Sequence, residues 1–168
     1  MVISEKIAEK IRQRRTPKSV YDKFVEFEER AASVYLHLAV HFSQNAELSS
    51  LWLEMGMQEK QHAGLLQFCA AECLFAPDLP SDAEIESAER LFAGLKKRAS
   101  QPDLTVADAF EIAMEMEESE VNTIYDRLTT GVHQSMYLLR RKIVTMPNHI
   151  ERLRREARKY GVAEKRAS

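Results

Sequence analysis

The chain contains only two cysteines, Cys69 and Cys73, among its 168 residues. A single pair, spaced four residues apart in a helical pattern, provides neither a disulfide framework nor a zinc or rubredoxin-type thiolate site. Both residues lie in an apolar stretch, so we expect buried thiols in a core stripe rather than a redox pair. The scarcity of cysteine therefore excludes a disulfide-stabilised fold.

Glycine and proline are also scarce, with 5 of each. Alanine, leucine, glutamate, lysine and arginine are abundant instead, and these residues have high helix propensities. Hydrophobic residues make up 45% of the chain and charged residues 30%, which is typical of a globular protein. The length suits one domain that buries a core without disulfides. The composition therefore predicts a single all-helical domain.

A strong charge imbalance and a long apolar run are both absent. The formal net charge is -2, which implies no nucleic-acid partner. No apolar run approaches the roughly 20 residues that span a bilayer, and the first residues lack the apolar region of a signal peptide. We therefore expect a soluble cytoplasmic protein without a transmembrane segment.

Three regions follow one another along the chain. Residues 1–18 form a basic arm in which isoleucine recurs every four residues. Such an arm is typical of a solvated helix that docks on the rest of the molecule or on a neighbouring subunit, and a membrane-surface anchor is the weaker alternative. Residues 19–161 carry the main helical pattern, and residues 162–168 form a charged tail.

The main region predicts four core helices and a connecting helix. Ser81 and Glu84 form a capping box at the start of the connector, and Thr105 is expected to cap the third core helix. Pro147 should bend or interrupt the fourth core helix. In chain order, the predicted helices cover residues 19–44, 47–75, 82–100, 106–130 and 132–160. Two helices, a connector and two more helices describe a four-helix bundle.

An internal repeat relates the two halves of this region. The segments EFEER and EMEES, centred on Glu28 and Glu117, are similar to each other. Glu28 lies 34 residues before His62, and Glu117 lies 32 residues before His149. The repeat predicts two similar helical hairpins with acidic and imidazole groups at matching depths, which is what a pseudo-twofold metal site needs.

Four residues in these helices stand out as metal ligands. Glu59 and His62 are three residues apart, so their side chains leave the same helix face and can bind one ion. Glu28 and Glu117 lie in apolar stripes, where a carboxylate must be paired, protonated or bound to a metal. Glu118 is the alternative ligand at this position, but the repeat and the apolar stripe both favour Glu117. In one family of helix bundles, such glutamates combine with Glu-x-x-His pairs to hold two iron or manganese ions.

A family resemblance rests on these residues and a few others. Over roughly residues 20–160, the chain is similar to the di-iron domain of rubrerythrins, in the ferritin-like superfamily, in the order of Glu28, Tyr35, Glu59, His62, Glu117, Glu120, Tyr125 and His149. The resemblance implies an all-α, ferritin-like four-helix bundle with a connecting helix between two helical hairpins. It also implies that Glu28 and His62 bind one iron and that Glu59 bridges to a second. Glu117 and His149 would complete the second iron.

The resemblance implies further roles around the two irons. Glu120 stands where rubrerythrins keep an extra carboxylate that exchanges with the histidine as iron changes oxidation state. Tyr35 and Tyr125 would hydrogen-bond the carboxylate ligands and hold them in place. The expected cofactor is non-haem iron, as a di-iron pair, and manganese or zinc accept the same ligand set.

The chain departs from the family pattern at Met146. A second Glu-x-x-His would place a bridging glutamate three residues before His149, where this chain has methionine. A thioether is a poor ligand for iron or manganese. If Glu120 replaces the missing bridging glutamate, the site would still bind two ions. Otherwise Glu28, Glu59 and His62 would hold a single ion.

Two functional hypotheses follow. The first is a rubrerythrin-like iron protein that reduces hydrogen peroxide or oxygen, or oxidises Fe(II), with electrons from an unidentified donor. Rubrerythrins append a rubredoxin domain with paired cysteines, and its absence here makes the chain similar to the single-domain, rubredoxin-less branch. The alternative is a catalytically degenerate bundle that acts as a structural or regulatory interaction protein. We expect a homo-oligomer, and most simply a dimer, in either case.

Overall fold

The computed structural model describes residues 16–130 and 149–162, and these residues form helices and no strand. In chain order, the helices are α1 (Pro17–His41), α2 (Ala46–Ala71), α3 (Asp82–Ala99), α4 (Val106–Glu117), α5 (Glu120–Thr130) and α6 (His149–Lys159). The all-α class predicted from composition is therefore confirmed for the described residues, and the ferritin-like arrangement stays a prediction. None of these helices has an apolar stretch long enough to cross a membrane.

α1 and α2 form a closely packed antiparallel hairpin. Asn45 caps α2 at the turn, where its side chain accepts the backbone N–H of Leu48 at 3.2 Å. Gly56 lies against α1, because a Cβ at this position would be 3.2 Å from the Ala32 carbonyl oxygen and 3.3 Å from Tyr35 Cβ. A larger residue would push the helices apart, so this glycine sets the short distance between the two halves of the hairpin.

α3 is the predicted connector and is anchored at both its start and its middle. The predicted capping box is confirmed: the Ser81 N–H donates to Glu84 Oε2 at 2.6 Å, and the Glu84 N–H donates to Ser81 Oγ at 3.3 Å. Phe92 stacks on Phe27 of α1, with ring centroids 5.5 Å apart. Arg127 of α5 donates to Glu84 Oε1 at 2.9 Å. These contacts hold the connector on α1 and α5.

The second helix ends earlier than its apolar pattern predicts. Cys73 adopts φ 55°, in the left-handed region, and the Leu74 N–H donates to the Cys69 carbonyl at 2.8 Å. This bond closes a Schellman-type turn after Ala71. The prediction that both cysteines are buried is therefore wrong for Cys73, which the turn leaves exposed, while Cys69 is buried.

The third core helix is interrupted, whereas the sequence predicts a continuous one. α4 ends at Glu117 and α5 begins at Glu120. The Ser119 hydroxyl donates to the Met116 carbonyl at 2.7 Å, and the Asn122 amide donates to the Glu117 carbonyl at 2.9 Å. Side chains thus bond the carbonyl groups at the break, where regular helical partners are missing. The break lies directly beside Glu117.

Three predicted segments lie wholly or partly outside the described residues. They are residues 1–15 of the basic arm, residues 132–148 of the predicted fourth core helix, which include Met146, and residues 163–168 of the tail. The end of the predicted arm belongs to a helix, because α1 already begins at Pro17.

Tyr21 connects distant parts of the core through its hydroxyl. The side chain is fully buried, and the hydroxyl donates to the Leu128 carbonyl at 2.7 Å. It also accepts the backbone N–H of Ala76 at 2.9 Å. Burial raises the pKa of Tyr21 to about 12, against the opposing effect of the Ala76 hydrogen bond. One hydroxyl therefore satisfies two buried backbone groups.

Tyr21→Phe should lower the free energy of unfolding by about 2 kcal/mol, because two buried backbone groups lose their partner. Urea denaturation followed by circular dichroism measures the change. Tyr160→Phe is the matched control at a half-buried position, and its effect should stay within about 0.5 kcal/mol. Equal losses in the two variants would contradict the role given to the Tyr21 hydroxyl.

Candidate metal centre

Three buried carboxylates and two imidazoles meet in the core. The carboxylate residues are between 2% and 6% exposed and His62 is 8% exposed, while His149 is half-buried. The contributing side chains are Glu28 from α1, Glu59 and His62 from α2, Glu117 from α4 and His149 from α6. The structure thus brings five of the six predicted ligands together.

Helical periodicity explains why these polar groups face the core. Glu28 lies one turn after Phe24 and one turn before Ala31, and both neighbours are buried. Glu59 and His62 are three residues apart on the buried face of α2. The close packing of the α1–α2 hairpin then brings the two helices' polar groups within reach of one another.

One half of the cluster centres on His62. Its Nδ1 lies 3.0 Å from Glu59 Oε2 and 3.6 Å from Glu28 Oε2. Each of these three residues offers a ligand atom within 4.8 Å of the other two. Two carboxylates and one imidazole at this separation match the donor types that iron, manganese and zinc accept.

The other half centres on His149 and shares Glu59 with the first. His149 Nδ1 lies 3.1 Å from Glu117 Oε2 and 3.8 Å from Glu59 Oε1. These three residues also offer ligand atoms within 4.8 Å of one another. The imidazole rings of His62 and His149 stack with centroids 5.8 Å apart. Glu59 therefore directs one oxygen towards each histidine.

Glu117 is oriented by two neutral side chains. The Tyr35 hydroxyl donates to its Oε1 at 2.6 Å, and the Asn122 amide donates to its Oε2 at 3.1 Å. The hydrogen bond from Tyr35 to Glu117 thus agrees with the prediction that Tyr35 holds a carboxylate ligand in place. Tyr125 places its ring 4.5 Å from that of His62, and its predicted hydrogen bond to a carboxylate stays a prediction.

Glu120 does not join the cluster. The family resemblance alone assigned it to the site, as an extra carboxylate three residues after Glu117. The structure ends α4 at Glu117 and leaves Glu120 exposed at the first position of α5. Because the interruption changes the direction of this side chain, the expected extra carboxylate is not supplied from here.

Asn122 is the contact that sequence reasoning missed. It lies five residues after Glu117, and a spacing of five does not place two side chains on one face of a regular helix. The interruption at residues 118–119 brings them together, so the amide reaches both the carbonyl and the carboxylate of Glu117. An asparagine shortly after a buried glutamate was the one available signal, and it is weak.

Burial and mutual repulsion act most strongly on Glu59. Loss of hydration, together with the charges of Glu117 and Glu28, raises the pKa of Glu59 to about 8, although the hydrogen bond with His62 opposes the shift. For His62, burial lowers the pKa, but the neighbouring carboxylates of Glu28 and Glu59, of which Glu59 is hydrogen-bonded to the ring, outweigh it and raise the value to about 10. The central pair therefore holds its protons at neutral pH.

The pKa values of Glu117 and its hydrogen-bond donor Tyr35 shift in opposite directions. Burial raises the pKa of Glu117, but the hydrogen bond to His149 and the donation from Tyr35 outweigh it, so the net shift is downward. Burial and the neighbouring carboxylates hold the pKa of Tyr35 well above its ordinary value. Tyr35 thus remains a hydrogen-bond donor to a charged carboxylate.

The donor set fits a divalent cation. Glu28 Oε1 and Glu59 Oε1 are buried and have no hydrogen-bond partner within the described part of the chain. Unpaired buried carboxylate oxygens cost free energy unless a donor or a cation compensates them. A metal ion bound by Glu28, Glu59 and His62 would supply that compensation.

Comparison with known proteins finds no matching family model, no matching curated protein and no matching solved structure. The geometry of this cluster and the resemblance of its residue pattern to rubrerythrins are therefore the features that bear on function.

Metal affinity should increase with pH, because an ion must displace the protons on Glu59 and His62. Below pH 7.5, the release of two protons corresponds to a roughly 100-fold rise in apparent Zn²⁺ affinity per pH unit. Competition with a chromogenic chelator between pH 6 and 7.5 measures this slope.

His62→Ala provides the control for the same titration. With one titrating ligand removed, the rise should fall to roughly 10-fold per pH unit, since Glu59 alone still loses a proton. An affinity that does not change with pH in the original protein would contradict the protonation states described above.

Proposed function

We propose that this chain is a rubrerythrin-like, ferritin-type helical bundle that holds non-haem iron in its core. In this proposal the iron serves redox chemistry with peroxide or oxygen, or the oxidation of Fe(II). The observation that carries the proposal is the shared position of Glu59, whose two oxygens approach two different histidines. A carboxylate that joins two ligand sets is what a bridging ligand requires.

The ferritin-type arrangement is supported by the order and packing of the helices. α1 and α2 form one hairpin, α3 connects it to α4, and α4 contacts α6. Each of the helices α1, α2, α4 and α6 supplies at least one side chain to the cluster. A site in a bundle core, built from facing helices, follows from this order.

The first ion is assigned to Glu28, Glu59 and His62. All three are buried, and Glu28 Oε1 has no partner among the described residues. Both oxygens of Glu117, by contrast, already accept hydrogen bonds from neutral side chains. A second ion would therefore compete with existing bonds, and we expect it to bind more weakly.

The residues around the ions would supply charge balance, orientation and exclusion of water. When bound, iron would provide the one-electron chemistry with peroxide or oxygen, and an external donor would return the electrons. The three carboxylates offset the charge of the ions. Tyr35 and Asn122 hold Glu117 in one orientation. The apolar side chains of α1 and α2 keep bulk water from the cluster.

A structural or regulatory role is the second candidate, and the internal bonds of the cluster favour it. His62 hydrogen-bonds Glu59, and His149 hydrogen-bonds Glu117. These pairs hold the cluster together without any ion, so a folded bundle does not itself require metal. The two candidates differ in whether the purified protein retains iron.

Iron content after anaerobic loading with Fe(II), followed by peroxide addition with absorbance recorded, tests the proposal. About two irons per chain with a peroxide-dependent ferric signal would support both halves of the site. One iron with such a signal would support the first half alone. Protein that retains no iron would contradict the proposal and favour the structural role.

Glu59→Gln should remove nearly all bound iron, because this carboxylate serves both ligand sets. His149→Gln should lose only the second ion and keep the first. Elemental analysis of the loaded variants measures both outcomes, and circular dichroism checks the fold. Glu29→Gln alters an exposed neighbour of Glu28 and should keep the original iron content. Equal iron loss in Glu59→Gln and His149→Gln would contradict the shared role of Glu59.

A further inference from the structure

A row of aromatic rings leads from the candidate metal centre to the protein surface. The Tyr35 ring stacks on that of Trp52 with centroids 6.1 Å apart, and the Trp52 ring lies 4.9 Å from that of Phe110. The Phe110 ring in turn lies 6.1 Å from that of Tyr160. These separations are typical of aromatic rings in direct contact. We call these four side chains the aromatic row.

One end of the aromatic row touches the candidate metal centre. The Tyr35 hydroxyl donates to Glu117 Oε1 at 2.6 Å. Burial, followed by the charges of Glu117 and Glu59, raises the pKa of Tyr35. Because the charge of Glu59 also acts on this hydroxyl, Tyr35 lies near the carboxylate that both halves of the site share.

The other end of the row lies in a surface groove between α4 and α6. The groove has a volume of about 780 Å³, which is sufficient for a small organic molecule. Tyr160 is half-buried and forms part of its wall. Gly161 adopts φ 68°, and the Val162 N–H donates to the Ala157 carbonyl at 3.1 Å. This turn after α6 holds the Tyr160 ring between Phe110 and the groove.

Trp52 is the residue in the row that packing alone explains least. It is the single tryptophan of the chain, and it is fully buried. Its Nε1 has no hydrogen-bond partner within the described part of the chain, although a buried indole N–H normally finds an acceptor. Phenylalanine would fill an apolar site without an unpaired N–H. Indole differs from phenylalanine in that it loses one electron far more readily.

A single bound ion leaves hydrogen peroxide one electron short. The reduction of peroxide to two water molecules consumes two electrons, whereas the oxidation of one Fe(II) to Fe(III) releases one. The ion assigned to Glu28, Glu59 and His62 is the one expected to bind more tightly. The second electron must then come from another group, and tyrosine and tryptophan are the side chains that can supply it.

We propose that the aromatic row carries this second electron from Tyr160 to the metal centre. The inference rests on the proposed iron function. Tyr35 loses one electron towards the centre while its hydroxyl proton passes to Glu117 along their hydrogen bond. An electron from Trp52 then restores Tyr35, and the proton returns.

Tyr160 is the final source of the electron. Trp52 recovers its electron from Tyr160 across the Phe110 ring, and it keeps its own N–H proton because no described acceptor takes it. Tyr160 releases its hydroxyl proton to solvent in the groove. In total, one Fe(II), one peroxide, one proton and the Tyr160 phenol become one Fe(III), two water molecules and a Tyr160 radical.

The groove around Tyr160 suits an aromatic molecule that returns the electron. Its floor is apolar and is formed by Val106, Phe110, Met114, Ala157 and Val162. Its edge carries Glu111, Glu115, Glu118 and Arg154. Arg98 pairs with two of these carboxylates and Arg154 with the third, so the edge keeps one net negative charge. This lining favours a planar aromatic one-electron donor that is neutral or cationic.

Rapid-freeze electron paramagnetic resonance on iron-loaded protein tests the aromatic row. Protein loaded with one Fe(II) per chain should form a tyrosyl radical after one equivalent of peroxide, and metal-free protein should form none. Tyr160→Phe should replace this signal with that of a tryptophan radical. Trp52→Phe should confine the radical to Tyr35, where the neighbouring ferric ion broadens its signal. Tyr21→Phe removes a buried tyrosine outside the row and should keep the original signal.

The radical yield should also depend on the iron content. A second iron supplies the second electron, so the yield per peroxide should fall towards zero as loading rises from one to two ions per chain. Protein that retains no iron would remove the proposed function and this inference together. Retained iron without a radical, or a radical that neither Tyr160→Phe nor Trp52→Phe alters, would overturn the inference alone.

Tetramethyl-p-phenylenediamine, a planar aromatic one-electron donor, tests the groove. Added to freshly oxidised protein, it should shorten the lifetime of the Tyr160 radical. Ala107→Phe places a ring in the groove from an exposed position on its wall, so the effect of the donor should be lost while radical formation is unchanged. Ala83→Phe makes the same change at an exposed position of α3 and should keep that effect. Equal donor effects in the two variants would contradict electron entry at the groove.

Discussion

Three carboxylates buried in one apolar core are the constraint on which the rest of this structure depends. Charged carboxylates without hydration destabilise a fold unless donors or cations approach them. His62, His149 and Tyr35 provide part of that compensation. The raised pKa of Glu59, at about 8, indicates that the compensation of this central carboxylate is incomplete. A divalent cation would complete it, and the proposed metal function follows from that imbalance.

The two faces of the α1–α2 hairpin have different chemistry. The inner face brings Glu28 and the Glu59–His62 pair together, and Gly56 makes the close approach of the helices possible. The outer face carries exposed apolar residues, among them Leu36 of α1 and Met57 of α2, and within the described part of the chain a Cβ on Gly64 would meet no atom within 4 Å. One pair of helices thus presents a polar cluster on its inner face and exposed apolar residues on its outer face. The period of the helix separates the two sets of residues.

Much of the candidate site could be predicted from the sequence, for a simple physical reason. Helices have a fixed period, so apolar stripes identify which polar residues face the core. Glu28, Glu59 and His62 follow from this rule, and the internal repeat adds Glu117 and His149. The capping residues of the connector follow as well, because a capping box is a local interaction of four residues.

Positions that depend on where a helix breaks could not be predicted in this way. The third core helix is interrupted between Glu117 and Glu120, and this interruption leaves Glu120 exposed and lets Asn122 reach Glu117. The turn at the end of α2 likewise exposes Cys73. Such breaks depend on long-range packing rather than on local propensity. The sequence by itself determined the helical class and the core-facing residues, since both follow from periodicity. The tertiary structure alone decided which of those residues meet, because distances between helices depend on how they pack.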